Sequence, residues 1–417
     1  MFRHSFVMAT CIVAIAIGFA SRASAEIRYR FRGLGCNPDT GCVSTIAAGI
    51  NDLGQVTGRQ ATAYGNKTFL WDPASGWTTI ASTSCGVPYA NDINNLGHIG
   101  GSASTMQPSG SCFGQPAIWT SDGIMGMGFL PNAPQGGVCY VINNLDQGAG
   151  QVSAQNGEAH AFFWSAETGM VDIGKLPGGL NTSIGYGMND LGWVAGDTDS
   201  AAGVQAFVWT LDAGMVALGD LWGYYPPYVG STGQDVNNLG ELVGYAYSPN
   251  GGFHGVEAFI WDADNGMRGL GILFNCISQA HYNNDQSEVT GLSCKYVQSR
   301  HENYGFIWDP KRGMRQLDAL FDPCIGTAYT HFYPQGMNNH GQIVGYAWNF
   351  TQPIVLTPYV PGDLNNDNTV DLTDLTQMLL NYGAPAGLYA HGDLNCDQRV
   401  DLTDLGWLLS NFGETYP

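Results

Sequence analysis

The chain has 417 residues, with 35 acidic against 15 basic side chains and a formal net charge of −20 at pH 7. A surplus of acid this large argues against nucleic acid as a partner. Glycine accounts for 58 residues, aromatic residues for 12% and charged residues for only 12%. This composition predicts a turn-rich, mainly β protein.

The first 25 residues have the pattern of a secretory signal. Arg3 and His4 precede an apolar run from 6 to 20, and Ala23 and Ala25 supply the small residues of a cleavage site. The run is too short to span a bilayer comfortably. Because the small-residue cleavage site is well placed, an uncleaved anchor is the less favoured alternative. We therefore predict a secreted, extracellular or cell-surface protein, with no membrane span after cleavage of residues 1–25.

A degenerate repeat fills residues 26–358. Its most regular part has the form I-N-D-L-G-Q-V-T-G at 50–58 and M-N-D-L-G-W-V-A-G at 188–196. The first asparagine of the motif recurs at Asn51, Asn94, Asn143, Asn189, Asn237, Asn283 and Asn338. Each motif predicts a tight hairpin turn with glycine in the left-handed conformation.

Six of the repeats also carry an apolar triplet that ends in tryptophan, such as F-L-W at 69–71. With the short apolar stretches around it, each repeat has four predicted strands, which favours a seven-bladed β-propeller over an open solenoid. The seventh repeat lacks a fourth strand, whereas Ile27–Gly35 resembles one. We therefore expect the N-terminal strand to complete the last blade, and the repeated tryptophans to pack between blades rather than to bind sugar.

These repeats resemble the HAF-repeat family of exported bacterial proteins, and His160-Ala161-Phe162 spells the family's name-giving triplet. The resemblance implies an extracellular setting and a propeller-like fold. It implies no established reaction and no catalytic residues.

Nine of the ten cysteines remain after the signal, and most fall in loops predicted to lie on one face of the propeller. In an exported protein they are candidates for disulfide bonds. Loop positions favour three pairs: Cys36–Cys42, Cys85–Cys112 and Cys276–Cys294. Three further cysteines, at 139, 324 and 396, are left over, and the sequence does not fix the connectivity.

Aromatic residues outside the repeat pattern mark a candidate ligand site on the same face. They are Trp222, Tyr224, Tyr225 and Tyr228 in one loop, and Phe332 and Tyr333 in another. Exposed rings beside glycine and proline suit stacking on a glycan or contact with a protein ligand. A hydrophobic lid over the channel is an equally weighted alternative.

Catalytic signatures are absent from the sequence. It contains no G-x-S-x-G, no H-E-x-x-H and no glycine-rich phosphate loop, and its nine histidines are scattered. We therefore favour a non-catalytic binding or display propeller. The alternative is a carbohydrate-active enzyme of polysaccharide catabolism, either a glycoside hydrolase or a polysaccharide lyase, whose paired carboxylates a sequence cannot reveal.

After a predicted linker at 359–361, residues 362–417 hold one acidic motif twice. The copies are G-D-L-N-N-D-N-T-V-D-L-T-D at 362–374 and G-D-L-N-C-D-Q-R-V-D-L-T-D at 392–404. Oxygen-bearing side chains recur with the spacing of a 12-residue loop that wraps calcium. Position 6 is Asn368 or Gln398 rather than glycine, so this position needs an unusual backbone conformation. An apolar helical pattern follows each loop.

The predicted cofactor is Ca²⁺ at two sites, and the second site is expected to be the weaker one. The candidate ligands are Asp363, Asn365, Asp367, the Thr369 carbonyl, Asp371 through water and Asp374, then Asp393, Asn395, Asp397, the Arg399 carbonyl, Asp401 through water and Asp404. Because eight aspartates share this short segment, we expect it to unfold without metal.

The duplicated segment resembles a type I dockerin, the calcium module that docks onto cohesin domains. The resemblance implies a cohesin-like or other scaffold protein as partner and recognition at loop positions 10 and 11. Those positions are Leu372, Thr373, Leu402 and Thr403, where the best-known members carry small polar residues. The sequence thus predicts a β-propeller followed by a small α-helical calcium domain, and the resemblance implies that this domain tethers the propeller to a scaffold or cell surface.

Overall fold

The computed structural model describes residues 26–37, 42–63, 65–80, 86, 89–106, 112–131, 133, 136–154, 157–180, 182–221, 230–248, 255–297, 300–324, 331–348, 352–383 and 392–416. The predicted signal at 1–25 lies outside them. Contacts divide the chain into two compact units. The propeller unit comprises Arg30–Phe321 and Ile325–Thr357, and the C-terminal unit comprises, among the described residues, 26–29, Asp322–Cys324 and those of Pro358–Pro417.

In the part of the chain that the structure describes, the propeller has seven four-stranded antiparallel sheets, as the repeat pattern predicts. Six blades run in chain order from the first strand to the fourth. Blade 1 is β2 (Cys42–Ile50), β3 (Val56–Thr62), β4 (Gly65–Asp72) and β5 (Gly76–Ile80); blade 2 is β6 (Tyr89–Ile93), β7 (Ile99–Met106), β8 (Cys112–Thr120) and β9 (Gly123–Gly126); blade 3 is β10 (Gly137–Ile142), β11 (Gly148–Ser153), β12 (Ala159–Ser165) and β13 (Gly169–Gly174). Blade 4 is β14 (Ser183–Met188), β15 (Val194–Ser200), β16 (Gly203–Thr210) and β17 (Gly214–Gly219); blade 5 is β18 (Ser231–Val236), β19 (Leu242–Tyr247), β20 (Val256–Asp262) and β21 (Gly266–Gly271); blade 6 is β22 (Ser278–Asn283), β23 (Val289–Val297), β24 (Arg300–Asp309) and β25 (Gly313–Gln316).

Blade 7 is built from both ends of the repeat region. It contains β26 (Phe332–Met337), β27 (Ile343–Ala347) and β28 (Ile354–Tyr359), and its fourth strand is β1 (Arg28–Gly33). The strand order is β1-β28-β27-β26, so the N-terminal strand closes the last blade as predicted. The closure leaves no three-stranded blade with an open edge.

The asparagine motif forms the turn between the first and second strands of every blade. In blade 1 the Asn51 Oδ1 accepts hydrogen bonds from the backbone N–H groups of Leu53 and Gln55, at 3.1 and 2.9 Å. The turn glycine is left-handed, with φ 73° at Gly54. In blade 6 the residue in this role is Asn284 and not Asn283, because the extra residue of that repeat lies before the turn.

The hydrophobic core lies between neighbouring blades. Trp71 packs with Val344 and Val355 of blade 7, and the rings of Phe163 and Trp209 from blades 3 and 4 are 5.3 Å apart. Such contacts favour the packing interpretation of the repeated tryptophans.

The glycine that ends each motif is required for close packing inside a blade. A Cβ at any of these seven positions would overlap a carbonyl oxygen of the first strand. They are Gly58, Gly101, Gly150, Gly196, Gly244, Gly291 and Gly345.

In the described residues of the C-terminal unit there are two short helices, α1 (Leu372–Leu380) and α2 (Leu402–Ser410), each after one acidic loop. Matching backbone hydrogen bonds join the two copies. The Gly413 N–H donates to the Val370 carbonyl, and the Gly383 N–H donates to the Val400 carbonyl. Their shared core contains Ile27, Val360, Leu364, Val370, Met378, Leu394, Val400 and Leu408. Within the predicted linker at 359–361, Tyr359 ends β28 and Val360 belongs to this core, and both residues are buried. No helix in the described residues is long and apolar enough to cross a membrane.

Candidate functional site

The first acidic loop folds around two buried carboxylates. Asp374 Oδ1 accepts the backbone N–H groups of Leu364 and Asn365, and its Oδ2 accepts that of Asp371 at 2.9 Å. Asp363 accepts the N–H of Asn366 at 2.7 Å. Burial raises the pKa of Asp363, and the nearby charge of Asp374 adds to the rise. The loop therefore holds two acidic groups close together in a protected position.

The second loop repeats this arrangement. Asp404 accepts the N–H groups of Leu394, Asn395 and Asp401. Burial again raises the pKa of Asp393, with Asp404 as the neighbouring charge. Position 6 is left-handed in both copies, with φ 66° at Asn368 and 73° at Gln398, which is the unusual backbone that the sequence requires.

The loop donors form a set that fits calcium. The side-chain candidates are all carboxylates and amide oxygens, and they belong to one continuous turn in each copy, as a hard cation prefers. Asp371 and Asp401 also cap the helices, accepting the N–H groups of Thr373 and Thr403 at 2.6 and 2.7 Å. The ligand assignment itself stays a prediction.

Both copies expose large apolar residues at three matching positions, two in the helix and one in the turn that follows it. Leu372, Leu379 and Tyr382 are 68%, 53% and 43% exposed, and their counterparts Leu402, Leu409 and Phe412 are 72%, 52% and 39% exposed. The buried sides are instead formed by Asp374 with Met378, and by Asp404 with Leu408. We call these six residues the paired apolar stripes. The predicted docking residues Thr373 and Thr403 are exposed beside them.

The predicted aromatic site is only partly within the described residues. Trp222, Tyr224, Tyr225 and Tyr228 lie outside them. Phe332 begins β26 and is 1% exposed, with its ring edge-on to Phe321, so it cannot offer a stacking face to a ligand. Tyr333 stacks on Tyr346 with ring centroids 5.1 Å apart, and Trp348 lies 6.3 Å away at 76% exposure.

One of the predicted disulfides is described in full. Cys276 pairs with Cys294, whereas the leftover cysteines Cys324 and Cys396 pair with each other. Cys36 and Cys112 are also disulfide-bonded. The side chain of Cys42 and all of Cys85 lie outside the described residues, so those two pairs stay predictions. Cys139 is a buried free thiol.

The seven asparagine turns join into a closed ring of hydrogen bonds. In each, the first asparagine donates from Nδ2 to the backbone carbonyl of the first asparagine in the next blade. The bonds run from Asn51 to Asn94, Asn143, Asn189, Asn237, Asn284, Asn338 and back to Asn51, at 2.8 to 3.3 Å. We call this the asparagine ring.

The second turn residue forms a parallel ring. Its backbone N–H donates to the side-chain Oδ1 of the second residue in the next blade, at 2.7 to 2.9 Å. The members are Asp52, Asn95, Asn144, Asp190, Asn238, Asp285 and Asn339. Amide N–H groups also reach the carboxylates, for example from Asn95 to Asp52 at 2.7 Å. This rim therefore holds three carboxylates that already have neutral hydrogen-bond donors.

Inside the rings lies a central cavity of about 370 Å³, lined by the first strands and turns of all seven blades. Each first strand has a register shift three residues before the ring asparagine, as between Ala90 and Asp92. A bulge of this kind sets two residues opposite one of the partner strand and re-aims side chains. Six of the bulged residues line the cavity, namely Ala48, Asn91, Tyr140, Tyr186, Gln234 and His281.

Two further carboxylates, those of Asp92 and Asp235, also line the cavity. Asp92 accepts the N–H groups of Ile93 and Ile142, and Asp235 accepts those of Val236 and Asn283. Burial raises the pKa of each to about 7, and their mutual charge contributes at Asp92. Room for the carboxylates comes from glycine in the preceding blade, since a Cβ on Gly49 would lie 3.0 Å from the Asp92 Oδ1.

Sequence reasoning missed this cavity. The sequence indicates that the face bearing the asparagine turns has little variable surface, because these turns are short. It therefore favours a ligand site on the opposite face. The available signal was the residue two places before each ring asparagine. The residue type at this position differs between blades, so repetition does not mark it. The seven residues are Gly49, Asp92, Val141, Gly187, Asp235, Tyr282 and Gly336.

Comparison with protein-family models and with curated protein sequences gives no match. Solved β-propeller structures are similar in fold at low identity. TolB from Acinetobacter baumannii is 9% identical over 84% of this chain and 68% of its own, with a TM-score of 0.32. A TolB protein from Agrobacterium tumefaciens is 9% identical over 81% and 99%, with a TM-score of 0.39. The six-bladed fungal lectin of Aleuria aurantia, which recognises fucose, is 10% identical over 66% of this chain and 96% of its own, with a TM-score of 0.31.

Proposed function

We propose that this chain is an exported, non-catalytic binding propeller that a dockerin-like, calcium-dependent module attaches to a scaffold protein. The observation that carries the proposal is the duplication in the C-terminal unit. Two loops with the calcium spacing are each followed by a helix, and both copies expose large apolar residues at three matching positions. Large exposed apolar residues in matched positions favour a protein partner.

Calcium is the cation that the loops suit best. The proposed side-chain ligands are those of loop positions 1, 3, 5 and 12, with Asp371 and Asp401 acting through water and the carbonyls of Thr369 and Arg399 completing each set. When bound, Ca²⁺ supplies the positive charge that offsets the clustered aspartates. The chain's own part is to hold the loop in place, through backbone N–H donation to Asp374 and Asp404.

Calcium binding can be tested by calorimetric titration of the metal-free full-length protein. We expect two sites, and loss of helical circular dichroism when EDTA is added. Asp374→Asn should weaken the first site at least tenfold, and Asp404→Asn the second, while the exposed Asp212→Asn should leave both unchanged. Absence of binding heat together with an EDTA-insensitive helical signal would sink the assignment.

The paired apolar stripes are the proposed docking face. Because each copy offers the same residues, either copy alone can engage a partner, and both must be altered to lose binding. Leu372→Ala with Leu379→Ala should therefore retain affinity for a cohesin-type domain from a test panel, as should Leu402→Ala with Leu409→Ala. The fourfold variant should lose affinity at least a hundredfold. Unchanged affinity in the fourfold variant would move the docking face elsewhere.

A further inference from the structure

The central cavity combines negative charge with the absence of positive side chains. Its described lining includes Asp52, Asp92, Asp190, Asp235 and Asp285, and no lysine or arginine. A concave site lined by one sign of charge concentrates ions of the opposite sign. The cavity therefore favours a cationic ligand over a neutral or anionic one.

The inner carboxylates keep capacity for such a ligand. Asp92 and Asp235 each accept two backbone N–H groups. An ionised carboxylate has about four acceptor positions, so roughly half of each group's capacity is left. The rim carboxylates differ because amide side chains already donate to them, as Asn144 and Asn238 do to Asp190.

The aromatic residues favour an organic cation over a metal ion. Tyr140, Tyr186 and Tyr282 line the cavity, and the first two rings are 5.9 Å apart. Ring faces attract ammonium groups, whereas calcium and magnesium need several close oxygen ligands and gain little from tyrosine rings. A volume of about 370 Å³ also exceeds what a single metal ion needs.

Two further lining residues, His281 and Asn283, suit a ligand that donates hydrogen bonds. Burial lowers the pKa of His281 to about 4, so its ring is neutral at pH 7 and does not repel a cation. Asn283 is only 7% exposed, and its Oδ1 has no hydrogen-bond partner within the part of the chain that the structure describes. Asn283 stands where the other six blades have isoleucine, valine or methionine. The Nδ2 of the same side chain donates to the Glu241 carbonyl at 2.8 Å, and Asn283 is among the residues that line the cavity. A buried acceptor without a donor is costly unless a ligand or water donates to it.

We infer that the central cavity is a binding site for an organic ammonium group, held between Asp92 and Asp235 and against the tyrosine rings. This inference deepens the proposed role of the propeller as a binding module and is independent of calcium docking. A free diamine and a lysine side chain of a protein share this chemistry. The carboxylates would bind the N–H groups, and the rings would face the charge.

The test is calorimetric titration of the calcium-loaded full-length protein with 1,4-diaminobutane. We expect saturable binding that weakens with salt, and no binding of the neutral isostere 1,4-butanediol. Asp92→Asn and Asp235→Asn should each weaken affinity at least tenfold, whereas the exposed Asp212→Asn should not change it. A lysine-containing pentapeptide and its norleucine counterpart distinguish a protein side chain from a free amine as the source.

Two results would overturn the inference. One is equal binding of the diamine and the diol, and the other is binding of Mg²⁺ that displaces the diamine. Tyr140→Leu provides a variant that leaves both carboxylates in place, and it should weaken the diamine while circular dichroism stays native. Calcium binding and cohesin binding are measured separately, so a failure here leaves the docking proposal standing.

Discussion

The Nδ2 group of Asn338 donates a 2.8 Å hydrogen bond to the backbone carbonyl of Asn51, which lies 287 residues earlier in the chain. This bond closes the asparagine ring between the seventh blade and the first. Together with β1 in the last sheet, it joins the two ends of the repeat region at two different places, one by side chain and one by strand.

The asparagine ring should contribute strongly to stability. Asn189→Ala removes the bond to the Asn237 carbonyl at 2.9 Å and leaves the N–H groups of Leu191 and Trp193 without their acceptor. Loss of these buried bonds should lower the free energy of unfolding by about 2 to 4 kcal/mol. Chemical denaturation measures it. Leu191→Ala is the matched control, since that side chain is 65% exposed and its loss should cost less than about 0.5 kcal/mol.

Strand closure can be tested by deletion of residues 27–35. The variant should leave blade 7 with three strands and an open edge, so its unfolding temperature should fall and it should aggregate. Removal of residues 1–25 alone is the control and should have no such effect. A monomeric deletion variant with unchanged thermal stability would contradict the importance of the closure.

The two described disulfides close loops of different length. Cys324–Cys396 spans 72 residues and Cys276–Cys294 spans 18. In the chain-entropy account, replacing both cysteines by serine should cost about 4 kcal/mol for the first pair and about 3 kcal/mol for the second. Chemical denaturation monitored by the helical circular dichroism signal should detect the loss of stability from replacing Cys324 and Cys396, because the helices lie in the C-terminal unit. If neither double replacement changed the unfolding curve of that helical signal, the expectation would be contradicted.

The cavity carboxylates should make stability fall as pH rises. The folded-state pKa of Asp92 and Asp235 is raised from 3.8 to about 7, so between about pH 4 and pH 7 the folded protein binds more protons than the unfolded chain. Their contribution is present at low pH and is lost as the pH rises through 7. The charged groups facing them are each other and Asp285, while Tyr282 is the neighbouring phenol.

Unfolding curves at pH 5 and pH 8 measure this effect. Asp92→Asn and Asp235→Asn should each reduce the difference between the two pH values, and the double variant should reduce it most. Asp212→Asn should leave the difference as in the parent chain. A pH dependence that survives in the double variant would assign it to other groups.

Strand periodicity and turn chemistry are local, and they sufficed to predict seven blades and their closure. The motif glycine and the first asparagine are required at the same place in every blade, so repetition reveals them. The cavity depends instead on residues that differ between blades, such as Asp92 and Gly49, and only their arrangement around one axis gives them a common role. Cys324 and Cys396 are likewise distant in sequence, and nothing local marks them as a pair.

The disulfide between Cys324 and Cys396 also affects how the chain would respond to mechanical load. Its C-terminal partner is in the second acidic loop, and its other partner is in the short segment 322–324, between two stretches of the propeller unit. Tension applied to the terminal helices thus reaches the repeats by two covalent routes, the peptide chain at 357–358 and this bond. A single backbone break near residue 358 would leave the helices attached until a reductant opens the second route.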